Sequence, residues 1–400
     1  MRLWKKISLF FLVLIFLSQI PFAHRRYKIG KLNAVIQQLK SERLQPESHD
    51  AFVEYTGVLH VHSFLGGHST GSFQEIIAAA EANQLNFVVM TEHPAQDFDT
   101  AEMTLKGWHG GVLFINGNEI STEAGERLLV IPGNESKNRG LADEKRPGAL
   151  SIVAYPEQFK SWDSADYEGV EVYNVFPDAR KTSSVVLFFD GLWSFRKYPD
   201  LLFATFYSRP SENLGRWDEA IAKRKAKVVA VAGNDAHSNL GLALIDSSGK
   251  TLLGVKLDPY ERSFRLVRVH TLIPDGVPFD PASLLASLSA GHCFIGFDLF
   301  ADTTGFRFTG SNRNQSVIQG DTIAIDGGVR LAVSTPVPTI VTLIKDGRTV
   351  DQGIRGREAV FTVTESGVYR VEVYLQQLPR PFNAQPWIIS NPIYVGSEVR

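Results

Sequence analysis

Residues 228–237 read VVAVAGNDAH, an apolar run followed within a few residues by Asp235 and His237. Consecutive β-branched and small apolar residues predict a strand buried on both faces, as in a parallel sheet covered by helices. Asp235 and His237 are two residues apart, so regular strand geometry would point both to one face. The stretch therefore predicts an α/β sheet with ligating or catalytic side chains at the carboxyl ends of its strands.

Similar apolar runs recur between about residues 51 and 298, where they alternate with amphipathic helical stretches. The clearest predicted strands are 87–90, 112–115, 128–131, 152–154 and 170–173. Ser72 and Glu75 have the spacing of a capping box, which predicts a helix directly after the first strand. This order makes a β/α barrel the first architecture to consider.

Beyond residue 298 the runs become short and mostly alternating, and turn residues separate them. Residues 299–400 are therefore predicted to form a small all-β sandwich of immunoglobulin-like type. Residues 176–215 are rich in aromatic side chains and have no clear period. We interpret them as an insertion over the barrel mouth, where loops usually set substrate selectivity.

The N-terminus has the pattern of a targeting segment. Lys5 and Lys6 precede an almost unbroken apolar run from Ile7 to Phe22. Residues 1–26 are therefore predicted to be a signal peptide or an N-terminal membrane anchor. Pro21 and Ala23 make a poor cleavage site, which favours the uncleaved anchor.

The rest of the chain is then expected to be exported, to the periplasmic or extracellular face, and held at the membrane by the N-terminal segment. Residues 27–50 are predicted to form a polar helical stalk between the anchor and the barrel.

The composition limits the partners and the metal ligands that the chain can have. The formal net charge is −2, with acidic and basic residues almost balanced, so we expect no nucleic acid partner. Cys293 is the only cysteine, which excludes a disulfide within the chain and a thiolate metal cluster. Any metal must therefore be bound by histidines and carboxylates.

Histidines and carboxylates follow several predicted strands in succession. These candidate metal ligands are His60, His62, His68, His93, Glu119, Asp235 and His237. Imidazole with carboxylate suits zinc, manganese or iron and disfavours calcium or magnesium. His68 lies in a glycine-rich loop and is the weakest candidate, while His109, His270 and His292 are interpreted as structural or surface residues.

The order of these motifs resembles the PHP (polymerase and histidinol phosphatase) superfamily. The matching stretches are Leu59–Ser63, His68–Gly71, Thr91–His93, Gly117–Glu119 and Gly233–His237. The resemblance implies a distorted (β/α)7 barrel with up to three metals at its carboxyl-end face. One metal would take His60, His62, Glu119 and Asp235, and a second would take His68, His93 and His237. A hydroxide bridging the metals would be the nucleophile.

The sequence departs from the family pattern at two places. Many members have His-Pro where this chain has Tyr155-Pro156, and Asn174 stands where another histidine ligand is expected. Both changes remove ligands, so we expect two metals instead of three. Tyr155 is either a packing residue or a hydroxyl that acts on a substrate oxygen or the leaving group, and Tyr155, Asp235 and His237 are the candidate catalytic residues.

The all-β C-terminal region also resembles the tails of exported PHP-type hydrolases, including relatives of the carbaryl-hydrolase group. The sequence thus predicts a metal-dependent phosphoesterase acting on a small-molecule ester. Two alternatives remain: a hydrolase of carboxylic or carbamic esters or amides, and a non-catalytic, metal-bound binding module. Substrate identity and oligomeric state are not indicated by the sequence.

Overall fold

The computed structural model describes residues 3–44, 51–122, 124–133, 149–163, 166–175, 184–204, 207–239, 241–245, 251–256, 258–353 and 355–396. It is a mixed α/β structure with one large sheet, several helices and a β-rich C-terminal region.

The helices are α1 Leu3–Glu42, α2 Phe73–Ala82, α3 Thr100–Met103, α4 Ser184–Ser194, α5 Leu201–Ala204, α6 Ser211–Arg224, α7 Tyr260–Leu266 and α8 Pro281–Ala290. The strands up to residue 298 are β1 Phe52–Val61, β2 Phe87–Met90, β3 Gly107–His109, β4 Val112–Ile115, β5 Asn118–Ser121, β6 Arg127–Ile131, β7 Leu150–Ala154, β8 Gly169–Asn174, β9 Val229–Ala236, β10 Gly241–Ile245, β11 Thr251–Lys256, β12 Arg268–Pro274 and β13 Cys293–Gly296. The later strands are β14 Arg307–Ser311, β15 Ser316–Ile318, β16 Thr322–Ile323, β17 Val329–Lys345, β18 Arg348–Gln352, β19 Gly356–Val363, β20 Gly367–Tyr374, β21 Pro386–Ser390 and β22 Ile393–Val395.

Six strands form the parallel part of the sheet, in the order β4-β2-β1-β9-β8-β7. The predicted apolar runs are all strands of this sheet or its extension, and every residue of β2, β4, β8 and β9 is buried. The capping box at Ser72 and Glu75 is present and starts α2. The expectation of buried parallel strands is therefore confirmed for this part of the chain.

The sheet is not parallel throughout. β6 pairs antiparallel with both β5 and β7, and β12 pairs antiparallel with the first half of β1. The connection between β5 and β6 spans only residues 122–126, which is too short for a crossover and therefore gives a hairpin. A bridge between Glu92 and Asn118 places β5 beside the residues that follow β2. The strand pairings thereby close into a ring.

The β-rich region after residue 298 is joined to the first sheet. β17 pairs with β14, β18, β19 and β20, while β21 pairs with both β20 and β13. Outward-facing residues of β8 and β9 and the inner residues of these later strands belong to one hydrophobic cluster. The two kinds of structure therefore share a sheet edge and a core.

The N-terminal helix covers both the predicted anchor and most of the predicted stalk. Its apolar part is long and apolar enough to cross a membrane, and none of that window is buried, as for a membrane span or a signal anchor. Farther along, Ile29, Leu32, Ile36 and Leu39 are buried against the rest of the protein. Their helical spacing gives this stretch one apolar face, so it packs on the body instead of standing clear of it as a stalk would. Residues 45–50 of the predicted stalk lie outside the described residues.

The aromatic-rich region, interpreted above as an insertion over the barrel mouth, contains helices in its described part. α4 packs against α1, and α6 packs against β8. Apolar and aromatic side chains of α4 find apolar partners on α1, which accounts for this position. Residues 176–183 lie outside the described residues.

Candidate metal centre

Six of the seven predicted ligands meet where parallel strands end. His60 lies in β1 and His62 directly follows it, His93 follows β2, and Glu119 lies in β5. The other two come from the end of β9, where Asp235 is followed by His237. Since the carboxyl ends of parallel strands share one edge, these side chains converge, and all except His93 and His237 are almost completely buried.

Two carboxylates lie close to the imidazole rings of the cluster. One oxygen of Glu119, Oε2, lies 3.3 Å from Nε2 of His60, 3.4 Å from Nε2 of His62 and 3.5 Å from Nε2 of His93. Asp235 Oδ1 lies 3.5 Å from Nε2 of His60 and 3.6 Å from Nε2 of His62. Two carboxylate oxygens thus face the nitrogens of three histidines, an arrangement suited to a cation between them.

Buried polar atoms without hydrogen bonds mark the same place. Among the described residues, both ring nitrogens of His62 and Oδ1 of Asp235 are buried and have no hydrogen-bond partner. Buried polar atoms are nearly always satisfied, so such a group calls for a ligand. Ligand atoms of His60, His62 and Asp235 lie within 4.8 Å of one another, as do those of His62, His93 and His237. The donor set therefore fits divalent metal, and His62 belongs to both groups.

His68 is at the rim. Its side chain is exposed, and its ring lies edge-on to that of His93 with centroids 4.9 Å apart. It belongs to neither of the two close groups of potential ligands among the described residues. The structure thus brings His68 near the site but does not place it within the inner cluster.

The backbone at the site departs from regular strand geometry. His60, Asp235 and Ser238 have φ of 63°, 45° and 54°, in the left-handed region that non-glycine residues rarely adopt. The pairing of β1 with β9 shifts register between Leu59 and Val61. The sequence analysis expected regular strand alternation to point Asp235 and His237 to one face. The irregular backbone shows that alternation alone does not position the ligands. A bulge re-aims them, and such strained residues cost about 1–3 kcal/mol each.

Gly233 makes room for this arrangement. A Cβ at this position would lie 1.6 Å from Oε1 of Glu171 and 2.9 Å from Cβ of His60. The first contact is far too short and the second is just below what real Cβ atoms show, so a side chain here would displace the Glu171 carboxylate.

Glu171 is a functional residue that the sequence did not reveal. It is fully buried in β8, and its Oε1 lies 2.7 Å from Nδ1 of His60. A carboxylate on the far nitrogen of a histidine fixes the ring and leaves the other nitrogen for a metal. The available signal was a lone acidic residue within the apolar run 170–173, which on its own gives no partner.

The charges in the cluster depend on one another. Burial opposes protonation of His60, but the charges of Glu171 and Asp235 outweigh it and raise the pKa of His60 well above its usual value. Burial also opposes ionisation of Glu119, yet the hydrogen bond and charge of His60 lower the pKa of Glu119 to about 2. Burial and then the charge of His60 hold the pKa of His62 well below normal. Without a cation His60 therefore holds a proton between the acids, and a metal at its Nε2 would replace that proton. Glu119 is a carboxylate and His62 a neutral imidazole, which are already the forms that bind metal.

The two residues that depart from the family pattern both contact Asp235. The hydroxyl of Tyr155 donates to Oδ2 of Asp235 at 2.6 Å, and the amide of Asn174 donates to the same oxygen at 3.4 Å. Burial and the charge of Asp235 raise the pKa of Tyr155, so the phenol keeps its proton. These donors engage Oδ2 and leave Oδ1 facing the histidines.

Glu92 and Arg127 were also missed. The buried carboxylate of Glu92 accepts the backbone N–H of Ser63 at 3.0 and 3.1 Å and the hydroxyl of Thr104 at 2.8 Å. Arg127 lies at the rim, with Nε 3.8 Å from Oε1 of Glu119 and its side chain about two-fifths exposed. It places a positive charge beside the cluster and open to solvent.

Comparison with known proteins adds little. No family model and no curated protein matches the chain. Among solved structures, PsfC from Pseudomonas syringae PB-5123 is similar, with 12% sequence identity and a TM-score of 0.37, over 61% of this chain and 91% of that chain. A likeness of this size carries no conclusion about function.

Proposed function

We propose that this protein is a metal-dependent phosphoesterase built on a PHP-type barrel and held at a membrane by its N-terminal helix. The observation that carries the proposal is the buried cluster in which both ring nitrogens of His62 and Oδ1 of Asp235 have no hydrogen-bond partner among the described residues. The PHP-like order of motifs in the sequence supports the same assignment. Two close groups of potential ligands, which share His62, are consistent with two neighbouring ions per chain.

The residues of the chain have separate parts in this proposal. His60, His62, Glu119 and Asp235 would hold one ion, and His93 and His237, with His68 from the rim, would hold the other. Zinc, manganese and iron all suit this donor set. A bound divalent ion supplies Lewis-acid polarisation of the ester and lowers the pKa of a coordinated water.

Other side chains orient this set. Glu171 holds the ring of His60 through Nδ1, so that Nε2 faces the cluster. Tyr155 keeps its proton on the phenol oxygen and directs it at Oδ2 of Asp235, which fixes the carboxylate. Tyr155 is thus a positioning residue here and not a packing residue alone.

Arg127 favours an anionic substrate. Its partly exposed guanidinium lies 3.8 Å from Glu119, and guanidinium binds phosphate oxygens with good geometry. A neutral carboxylic or carbamic ester gains little from such a group. We therefore place the phosphoesterase ahead of the carboxylic ester or amide hydrolase and of the non-catalytic binding module.

The test is metal content and hydrolysis measured on the same sample. The full chain, purified in detergent after growth with zinc, manganese and iron, should contain about two ions by elemental analysis and should hydrolyse p-nitrophenyl phosphate in preference to p-nitrophenyl acetate. His109→Ala, a partly exposed histidine outside the cluster, is the matched control and should keep both properties. Metal without hydrolysis of either ester would favour the binding module, and no metal would overturn the proposal.

A further inference from the structure

Helix α4 is fixed against α1 where the apolar run of α1 ends. The ring of Phe189 stacks on that of Phe22, with centroids 4.8 Å apart. The indole N–H of Trp193 donates to Gln19 at 3.0 Å. Helix α4 therefore lies at the level of the last turns of the exposed apolar segment.

An ion pair between a partly exposed arginine and a buried aspartate holds the same contact. The guanidinium of Arg25 donates from Nε to both carboxylate oxygens of Asp190, at 2.9 and 2.8 Å, and Asp190 is only 3% exposed. The carboxylate of α4 is thus neutralised by the chain itself. It does not repel an anionic surface at this place.

The outer side of α4 is apolar and exposed. Phe188 and Leu192 are four residues apart, so they lie on one face of the helix, and they are 51% and 69% exposed. The ring of Phe188 contacts that of Phe189, which in turn stacks on Phe22 at the end of the apolar segment of α1. The apolar window of that segment has no buried residue. A large exposed apolar surface on a folded protein marks a contact site, and here it extends the surface that a membrane would cover.

Basic and aromatic side chains lie just beyond the apolar surface. A shallow cavity of about 460 Å³, wide open to solvent, lies along α1 beside Tyr198 and is lined by Arg26, Tyr27, Gly30 and Lys31, among others. The ammonium of Lys31 lies 4.7 Å from the centroid of the Tyr27 ring. Aromatic rings with lysine and arginine next to an apolar span are typical of the headgroup layer of a bilayer.

We propose that α4 and residues 19–34 of α1 form a lipid-contact surface. Phe188 and Leu192 enter the apolar layer, and the cavity takes the phosphate headgroup of an anionic phospholipid. The occupant is a lipid because the cavity opens beside an apolar face and because cations line it. The inference does not depend on the hydrolase activity, and it places the body directly on the bilayer.

The apolar part is tested in nanodiscs that contain the full chain. Leu192→Cys is labelled with a fluorophore sensitive to its surroundings, since native Cys293 is fully buried. Val350→Cys is the matched control, because Val350 is 51% exposed on β18, among the later strands. Spin-labelled lipids should quench the label at 192 and not the label at 350. Equal, weak quenching at both positions would overturn the lipid contact.

The headgroup part is tested by native mass spectrometry of the protein extracted from nanodiscs of phosphatidylcholine with phosphatidylglycerol. Lys31→Gln should retain about fivefold less phosphatidylglycerol than the wild type. This is the usual effect of removing one basic residue at an anionic surface. Lys40→Gln, an exposed lysine of the same helix outside the cavity, should match the wild type.

Two results would contradict the headgroup site. Equal retention of the neutral and the anionic lipid by the wild type would show that the cations do not select a headgroup. Displacement of the lipid by millimolar inorganic phosphate would instead identify the cavity as a site for free anions.

Discussion

Strand β1 meets a buried cluster of histidine and carboxylate side chains near each of its ends. At its start, His270 lies between Glu54 and Asp298, with ring nitrogens 2.8 and 3.2 Å from their oxygens. Beyond its end, His62 lies between Glu119 and Asp235 at 3.4 and 3.6 Å. Both histidines are almost completely inaccessible to solvent, so burial and nearby acids do not distinguish them.

Hydrogen bonding does distinguish them. Each ring nitrogen of His270 also has a hydroxyl partner, from Thr56 at 3.2 Å and from Thr303 at 2.9 Å, and β1 pairs there with β12 in unbroken register. The ring nitrogens of His62 have no hydrogen-bond partner among the described residues, and the register of β1 shifts beside this residue. The satisfied cluster stabilises the fold, whereas the unsatisfied one needs a ligand. Whether the ring nitrogens of a buried histidine have hydrogen-bond partners is therefore a useful guide to its role.

The largest expected effect comes from removing an unsatisfied ligand. His62→Ala and Asp235→Ala should each lower kcat/KM by roughly a thousandfold or more, since each removes a group on which the bound metal depends. Both variants should lose metal by elemental analysis and keep the circular dichroism of the wild type. His270→Ala should keep its metal, and loss of metal there would break the distinction between the two clusters.

The second prediction concerns the satisfied cluster. Burial opposes protonation of His270, but Asp298 and then Glu54 outweigh it and raise its pKa to about 9. A folded-state pKa above the unfolded value near 6.5 means that the charged form stabilises the fold. This contribution, about 3 kcal/mol, is complete below pH 6.5 and is lost as the pH rises through about 9.

Unfolding midpoints of metal-free protein between pH 6 and 10 measure this effect. His270→Gln should be less stable than the wild type at pH 6, and the difference should shrink towards pH 10. His109→Gln serves as the control and should follow the wild-type curve. A constant difference for His270→Gln across this range would mean that its charge does not stabilise the fold.

The sequence predicted much of the sheet and of the site because local patterns determine them. Buried strands such as Phe87–Met90 read as apolar runs, and ligands such as His93 follow them directly. Glu171 was missed because its partner His60 is 111 residues away in the chain, and Arg127 because its partner Glu119 lies on another strand. The bulge at His60 was missed because it depends on pairing with β9, which one strand does not encode.

The third prediction tests Glu171. Glu171→Gln keeps the shape of the side chain but weakens the hydrogen bond that orients His60, so metal affinity should fall by about 10–100-fold. Competition with a chelator measures this affinity. Glu54→Gln makes the same change in the satisfied cluster and should leave metal affinity unchanged, so equal losses in both variants would show a general effect on folding.

The smallest expected effect is on substrate choice. Arg127→Gln should lower kcat/KM for p-nitrophenyl phosphate by about tenfold, mainly through KM, because one charged hydrogen bond to the substrate is lost. Metal content should not change. Arg216→Gln, which removes a helix-surface ion pair with Glu212, is the control. If Arg127→Gln slowed phosphate and acetate esters equally, the guanidinium would not select for charge.

The pairing of β13 with β21 has a consequence for how the protein is made. Strand β13 borders the sheet that holds the metal cluster, and its partner along Phe294–Gly296 arrives about ninety residues later. Asn391 strengthens the junction, since its side chain bonds the backbone of Ala230 in β9 and the carbonyl of Cys293. During synthesis the ribosome must therefore deliver almost the whole chain before this edge is closed. Until then the first sheet exposes a strand open to wrong partners, and assistance during this interval would raise the yield of folded protein.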